Sequence, residues 1–442
     1  MKAGTSALAN GAKSVMLENP SLDSSSPGGD GDGRRDLDSL STQSGLSGQR
    51  ALVLLFSFYP YDPRPRRAAE AMVSQGMKVD LICLKENEKE PSRENCGGVE
   101  VFRVPLKRRR GGKFGYVFQY GLFILICFLM AASRSLRRYR LVHVHNMPDV
   151  LVFSAMIPKI FGARVLLDLH DPMPELMTTI FGLRPDSFSV RALRWTERLS
   201  IGFANRVATV NLACKKIFSA RSCRPEKIHV VMNSPDEKTF PFKPYAGVEI
   251  DDPARPFIIM YHGSIVARHG LDLAVQALGI VRKTIPTAEL RIYGPSTPFL
   301  EEVMRTVQSS GLGDAVRSYG ASTLEQIAQA IDKADLGIIP NRRSIFTEIN
   351  TPTRIFEYLS RGKPVIAPAA PGIEDYFGPD ELIYFELGNA EDLARQILRV
   401  ISHPEEIAQV VVRGQEVYKK HRWSAEREGF LGLIKEMIGV RA

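Results

Sequence analysis

Short apolar strands alternate with helices in two separate runs along this chain, and few folds tolerate that pattern. The first run opens at Ala51. Residues 52–58 read as a strand, 66–75 as a helix stopped by Gly76, and 78–83 as the next strand. Further strands follow at 99–104, 141–145, 164–168, 206–210 and 229–232. Residues 243–256 turn polar and proline-rich, as a linker does. A second run begins at 257–261, with strands at 289–293, 316–319, 336–339 and 364–367. Strands separated by helices build parallel sheets covered on both faces. The expected class is α/β, with two doubly wound Rossmann-like units over 49–242 and 243–420. Residues 423–440 add a closing helix within a terminal segment, 421–442.

Residues 1–48 have a different character. They are rich in Ser, Gly and Asp, with Ser24-Ser-Ser-Pro-Gly-Gly-Asp-Gly-Asp-Gly33 at the centre. Such a segment buries too little apolar surface to offset its ordering entropy, so a disordered tail is expected. Its Asp30-Gly-Asp32 copies a metal-binding DxD, but that motif carries chemistry only after a strand in a folded domain. The rest of the 442 residues is long enough for two domains with a large core. Five cysteines are scattered without zinc-ligand spacing, which points to a reduced cytosolic protein. No secretory apolar core follows the first lysine, so no signal peptide is expected.

The net charge of +9 is concentrated. Residues 101–140 hold no Asp or Glu, yet they include Arg103, Lys107, Arg108, Arg109, Arg110 and Lys113, then Arg134, Arg137, Arg138 and Arg140. Between the two clusters, 114–131 is an apolar stretch almost long enough to span a bilayer. Both flanks are basic, so no charge asymmetry orients a span. Three readings stay open: a helix buried in the domain, a helix dipping into the membrane interface, and a span. The patch 103–140 suits an anionic leaflet, where each basic residue is worth roughly 1 kcal/mol. No binding motif for nucleic acid accompanies the charge.

One segment carries chemistry most clearly: Asn350-Thr-Pro-Thr-Arg-Ile-Phe-Glu-Tyr-Leu-Ser-Arg-Gly-Lys-Pro-Val-Ile-Ala367. Asn350 or Thr351 suits an N-cap, Pro352 the first helical position and Gly362 the C-terminal cap. A helix start open to solvent offers free N–H groups and a positive dipole end, which together bind anions such as a diphosphate. Glu357 lies about a turn and a half further in, placed to accept from a pair of sugar hydroxyls. This segment resembles the nucleotide-sugar motif of the retaining glycosyltransferases of family 4 (group 1 type), which have the GT-B fold.

That resemblance covers roughly residue 51 to the C-terminus, and it implies two domains facing each other across a cleft. It implies that Glu357 binds the nucleotide ribose. The family's second glutamate, eight positions earlier, falls on Ile349 here, with Glu348 one residue off. Thr351, Pro352, Thr353 and Arg354 would line the donor site. In the loop Tyr261-His-Gly-Ser-Ile-Val-Ala-Arg-His-Gly270, the family grips the diphosphate with Arg after the first glycine and Lys before the second. Those positions are Ser264 and His269, beside Gly263. Arg268 is the strong cation left in the loop, so it is expected to hold the leaving diphosphate. Gly294 ends a neighbouring strand of the same unit, and the loop Gly320-Ala-Ser322 would hold the base through its backbone.

In the first unit, Leu166-Leu-Asp-Leu-His-Asp-Pro-Met-Pro-Glu175 matches the family strand that ends in a histidine near the donor sugar. His170 takes that role, with Asp171 and Glu175 as acceptor-side candidates. The first strand-to-helix loop, Tyr59-Pro-Tyr-Asp-Pro-Arg-Pro-Arg-Arg67, brings Arg64 and Arg67 toward an acceptor phosphate. His145-Asn-Met-Pro-Asp149 stands on the same rim, with a turn-forming role equally open. Arg422-Trp423-Ser424 resembles the start of a last helix that crosses back to the first domain.

The resemblance implies transfer of a sugar from a nucleotide-diphosphate sugar to a hydroxyl acceptor, with no metal and no cofactor. The basic patch suggests a lipid-linked acceptor at the inner face of the cell membrane, as in exopolysaccharide or surface-glycan assembly. Two rivals share the fold: a sugar-nucleotide 2-epimerase, and a non-catalytic partner protein.

Overall fold

The computed structural model describes residues 45–106, 113–247 and 255–440. Asp30 and Asp32, most of the expected tail, the Lys107–Arg110 cluster and the centre of the linker lie outside them.

Strands form where β-branched and aliphatic residues run together, because both faces of each strand are covered. β1 (Arg50–Phe58), β2 (Lys78–Leu84), β3 (Arg93–Cys96) and β4 (Val99–Val104) make one half of the first sheet. β5 (Leu141–His145), β6 (Arg164–Leu169), β7 (Arg206–Thr209) and β8 (Ile228–Val230) make the other half. The order is β3-β4-β2-β1-β5-β6-β7-β8. Every pairing is parallel except β3 with β4. The sequence pattern misses β3, because a polar edge strand carries no apolar signature.

The helices of this domain are α1 (Pro63–Ser74), α2 (Lys113–Arg134), α3 (Met156–Ile160), α4 (Met173–Phe181), α5 (Phe188–Phe203) and α6 (Leu212–Arg221). Phe123 and Cys127 of α2, Ile201 of α5 and Phe218 of α6 share a core against one face of the sheet. Ala68 and Met72 of α1 pack on the other face. Helix α1 starts three residues before the sequence expectation. Its first turn needs no partner for the missing proline N–H, so Pro63 and Pro65 fit there. Arg64 therefore stands on the helix, one turn ahead of Arg67, rather than in the loop before it.

The second sheet holds β9 (Ile258–His262), β10 (Glu289–Tyr293), β11 (Val316–Ser318), β12 (Leu336–Ile338), β13 (Val365–Ala369) and β14 (Ile383–Glu386). Its order is β11-β10-β9-β12-β13-β14, all parallel. Around it lie α7 (Leu271–Val281), α8 (Pro298–Ser309), α9 (Leu324–Lys333), α10 (Ile345–Ile349) and α11 (Thr353–Ser360). They are followed by α12 (Pro371–Glu374), α13 (Ala390–Ser402) and α14 (Pro404–Lys420). The strand order reverses between β1 and β5 in one sheet and between β9 and β12 in the other. Ligands bind in open parallel sheets at such reversals, beyond the carboxyl ends of the strands.

The last helix, α15 (Trp423–Ile438), packs back onto the first domain through Phe430, Ile434 and Met437. The chain thus crosses between domains twice, and the crossings are bonded together. Met232 N–H donates to Glu426 Oε2 at 2.8 Å, and Ser424 N–H to Glu237 Oε2 at 2.8 Å. The Ser234 hydroxyl donates to the carbonyl of His421.

The expected single basic patch over 103–140 needs correction. Arg103 is buried against Glu94 at 2.7 Å and Glu90 at 3.5 Å, and Arg137 pairs with Asp80 at 2.7 Å. Acids absent from the window arrive from neighbouring strands and loops. Arg134 lies over the Phe102 ring. Helix α2 buries Phe123, Cys127 and Ala131 completely while Phe118, Leu125 and Leu129 stay exposed. One edge is core and the other is bare.

Candidate active site

The carboxyl ends of both sheets meet at one cleft. Asn211, at the start of α6, reaches across it. Its Nδ2 donates to the Ile349 carbonyl at 2.8 Å and to Thr351 Oγ1 at 3.1 Å. Thr351 Oγ1 in turn donates to the Gly372 carbonyl at a short contact, so this threonine ties the loop before α11.

Helix α11 begins at Thr353, with Pro352 as its N-cap and no side-chain cap bond. This is one residue later than the sequence suggests, because Thr351 spends its hydroxyl elsewhere. The N–H groups of the first turn therefore remain available to an anion. Arg354 extends from this turn, donating to the His262 carbonyl at 2.7 Å and lying over the Tyr261 ring at 5.0 Å.

Glu357 is buried, and its Oε2 lies 2.5 Å from His262 Nε2. His262 Nδ1 lies 2.9 Å from the Tyr358 hydroxyl, which also bonds the Met260 carbonyl at 2.9 Å. A carboxylate facing Nε2 makes that nitrogen the donor. The pair fixes the glutamate and leaves its Oε1 with no partner among the described residues. Sequence reading picks Glu357 and misses His262, which ends an apolar strand and looks like packing.

Above this pair lies the loop after β9. Gly263 has φ 116°, a region closed to most side chains, and its carbonyl would lie 2.3 Å from a Cβ on Gly294. The two glycines let the loops after β9 and β10 meet. Tyr293 and Tyr319 stack beside them, with ring centroids 4.7 Å apart. His269 Nδ1 is 2.9 Å from the Ser264 carbonyl and 3.2 Å from Ser264 Oγ. Burial, with Arg354 and Arg268 adding to it, lowers this histidine to about 3, so it stands neutral. Arg268 is the cation that remains. Its Nε is buried and unpartnered among the described residues, and its guanidinium sits 5.9 Å from the Phe346 ring centroid.

Across the cleft, Asp171 faces Arg268. Burial pushes the Asp171 carboxyl up to about 6, against the pull of Arg268 and Arg64. Burial lowers the Arg268 guanidinium, and Asp171 raises it. His170 Nε2 lies 3.0 Å from His145 Nδ1, which is also 3.4 Å from Asp168 Oδ2. Burial raises Asp168, but Arg64 and the three histidines around it hold the carboxyl well below its ordinary value. An anion there favours the proton on His145 Nδ1. His170 Nε2 then accepts, and the His170 proton resides on Nδ1. Asn146 Oδ1 accepts from the backbone N–H of His170 at 2.9 Å. The rim segment His145–Asp149 thus has a role: it sets His170.

His143, His145 and Asp168 form a buried group whose ligating atoms lie within 4.8 Å of one another. Arg64 already forks this carboxylate, with Nη2 at 2.7 Å and Nε at 3.0 Å. The guanidinium supplies the positive charge that a metal ion would bring, so the donor set fits an ion poorly.

Four expected residues are engaged elsewhere. Arg64 also donates to the Val231 carbonyl at 2.7 Å, and Arg67 bonds the Ser234 carbonyl and Asn233 Oδ1 while lying 5.2 Å from the Trp423 ring centroid. Their donors secure the inter-domain crossing instead of an acceptor phosphate. Glu175 is held by Arg221 at 2.6 Å and 3.0 Å, beside Glu197, and is not free for an acceptor. Glu348 stands half-exposed on α10, paired with Arg343 at 3.1 Å.

Known proteins agree with this architecture. Residues 62–234 match the glycosyl transferase 4-like domain, and residues 256–403 match the glycosyl transferases group 1. The chain is 22% identical over 302 residues to the sulfoquinovosyl transferase SQD2 of Arabidopsis thaliana, covering 64% of this chain and 54% of that one. It is 24% identical over 203 residues to the amylovoran biosynthesis glycosyltransferase AmsK of Erwinia amylovora, covering 44% and 46%. The matched segment thus spans about half the length of these relatives. Sucrose-phosphate synthase from Thermosynechococcus elongatus superposes with a TM-score of 0.73 at 18% identity, over 88% of this chain and 99% of that chain. Anabaena Alr3699/HepE, solved in complex with UDP-glucose, gives a TM-score of 0.63 at 16% identity, over 88% and 99%. Two parallel α/β domains meeting at this cleft, and two family matches that together span most of the sequence, place the chain among the group 1 glycosyltransferases of the GT-B fold.

Proposed function

We propose that this protein is a retaining glycosyltransferase that moves a sugar, of hexose type, from a nucleotide-diphosphate donor to a hydroxyl acceptor. One observation carries the reading. The uncapped start of α11, the His262-braced Glu357 and the unpartnered Nε of Arg268 converge on the same side of the cleft. A helix start and a guanidinium suit a diphosphate, and an anchored carboxylate suits a ribose diol. The complex of Anabaena HepE with UDP-glucose supports a sugar nucleotide in a cleft of this shape.

In this reading the bond from the anomeric carbon to the diphosphate breaks, and the acceptor oxygen bonds that carbon on the same face. The acceptor proton passes to the departing diphosphate. Arg268 and the α11 N–H groups stabilise the charge that grows on the leaving group. Thr353 and Arg354 lie in that first turn. His170 offers its Nδ1 proton to the sugar. Because Arg268 and the helix start supply that stabilisation, the proposed reaction needs no metal, and no cofactor takes part.

The acceptor is proposed to be lipid-linked and the protein peripheral at the cytoplasmic face of the membrane, in surface-glycan or exopolysaccharide assembly. The bare apolar edge of α2 supports this, as does the relative named for amylovoran biosynthesis.

The test is a mass-spectrometric screen of nucleotide sugars, each with and without a membrane lipid extract. A glycosylated lipid that forms with one donor supports the proposal. Interconversion of the donor without any acceptor would instead identify a 2-epimerase, and no turnover with any pair a non-catalytic partner.

A further inference from the structure

The first domain presents one helical layer whose outer side is unusually apolar. Helix α2, the 149–160 segment and α5 all bury their inner residues in the same core: Cys127, Leu151, Ala155 and Ile201 belong to it. They lie side by side. Ser154 Oγ donates to the Ile124 carbonyl at 3.0 Å, and the Phe153 and Phe203 ring centroids are 5.2 Å apart. Their free sides therefore look outward in one direction.

Large apolar side chains crowd that side. Phe118 on α2 is 71% exposed, and Leu125 and Leu129 follow on the same face. Ile160 is 73% exposed and Phe161 62%. On α5, Phe188 is 85% exposed and Trp195 63%. Scattered exposed leucines are ordinary, but aromatic residues gathered across three neighbouring elements mark an interaction surface.

The exposed charge on these helices has one sign. Helix α5 exposes Arg191, Arg194 and Arg198, and none makes an ion pair among the described residues. Its acid, Glu197, is wholly buried on Arg221. Asp149 is buried too, and Asp186 is held by Arg184. Helix α2 has no acid.

We infer that this layer, with α5 as its charged edge, is the surface by which the protein rests in an anionic lipid bilayer. The inference rests on the proposed lipid-linked acceptor and moves the contact well beyond the 103–140 segment. Aromatic residues interleaved with arginines fit the headgroup boundary, where rings sit between water and hydrocarbon. A second copy of the chain fits worse, since a self-complementary contact would set the arginines against one another. An interfacial position suits α2 better than a span, because Phe123, Cys127 and Ala131 are packed in the domain core.

Helix α4 links the layer to the site. It begins beside Asp171 in the cleft, packs against α5, and ends at the exposed Phe181. An acceptor anchored in the bilayer would therefore approach along α4.

The test uses the full chain with phosphatidylcholine vesicles, with and without phosphatidylglycerol, some carrying brominated acyl chains. The chain has two tryptophans, and the second, Trp423, lies under the Arg67 guanidinium. Bromolipids should quench fluorescence in the wild type and not in Trp195→Phe. The pair Arg191→Glu and Arg194→Glu, and the pair Phe188→Ser and Trp195→Ser, should each weaken sedimentation with anionic vesicles roughly ten-fold or more. Calorimetric binding of nucleoside diphosphates should be unchanged in both. Vesicle binding that leaves Trp195 unquenched, or that survives both pairs, overturns the inference. So does a dimer on gel filtration that these variants dissolve in a protein that ignores vesicles. Vesicle binding without any nucleotide binding would sustain this surface while removing the proposed donor site.

Discussion

His262 Nε2 and Glu357 Oε2, 95 residues apart in sequence, meet at 2.5 Å behind the uncapped start of α11. The histidine closes β9 and the glutamate sits in the helix, so one contact locks strand to helix. Both variants should therefore weaken donor binding, by different routes. In the proposed site, Glu357→Ala removes the ribose acceptor itself, and a lost charged hydrogen bond costs about 1.5–3 kcal/mol. His262→Ala leaves the carboxylate present but loose, so its loss should be smaller. Isothermal calorimetry with the nucleotide diphosphate gives both values. Equal affinity for wild type and Glu357→Ala, with an intact circular dichroism spectrum, would remove the glutamate from the site.

Arg268 should matter more for turnover than for recognition. Charge builds on the diphosphate as the glycosidic bond breaks, so a guanidinium aimed there favours the transition state over the ground state. Arg268→Ala should lower kcat on the order of 10²-fold, with a smaller change in KM. Arg268→Lys should recover only part, since lysine has no fork. Steady-state kinetics with the donor found in the screen decide this, and an unchanged kcat in Arg268→Ala would reassign the phosphate grip.

Donor affinity should fall as pH rises through about 6, the value to which burial pushes Asp171. The sign follows from charge. Below that pH the carboxyl is neutral and Arg268 faces the diphosphate alone. Above it, Asp171 is anionic, competes for Arg268 and repels the ligand. The change should be roughly three- to ten-fold, about the size of one screened charge pair. Asp171→Asn should hold the low-pH affinity throughout. Calorimetry between pH 5 and about 8 measures it, and a pH-independent wild type would contradict the assignment.

Arg64→Ala should damage the fold more than the chemistry. It leaves Asp168 buried and uncompensated and frees the Val231 carbonyl, and removing one partner of a buried pair costs about 3–5 kcal/mol. Thermal unfolding should show a large drop in Tm. The double variant Arg64→Met with Asp168→Leu should regain much of it, because no orphan charge remains. A single variant as stable as wild type would show the pair to be dispensable.

Sequence alone shows the alternating elements, the two sheets and Glu357, because those signals are local: period, caps and a turn-and-a-half offset. Long-range partners are invisible to it. Nothing near Arg64 indicates that its carboxylate lies 104 residues on, or that Arg103 would find Glu94 across an edge strand. A run without acids therefore looks like a patch when strands supply the acids. His143 and His262 are hidden for another reason. They end or lie within apolar strands, where a histidine that orients a neighbour looks the same as one that fills space. At Ser264 and His269 the usual cations of the family motif are absent, and the loop itself leaves Arg268, next to His269, as its strong cation.

The paired crossings between the domains have a mechanical consequence. Two chain segments joined to each other by Met232–Glu426, Ser424–Glu237 and Ser234–His421 act as the spine of a book rather than as two loose strings. A bound spine lets the covers swing about one axis and resists shear and twist. The α11 end of one cover and the His170 rim of the other would then travel along a single arc, arriving in the same alignment at each closure.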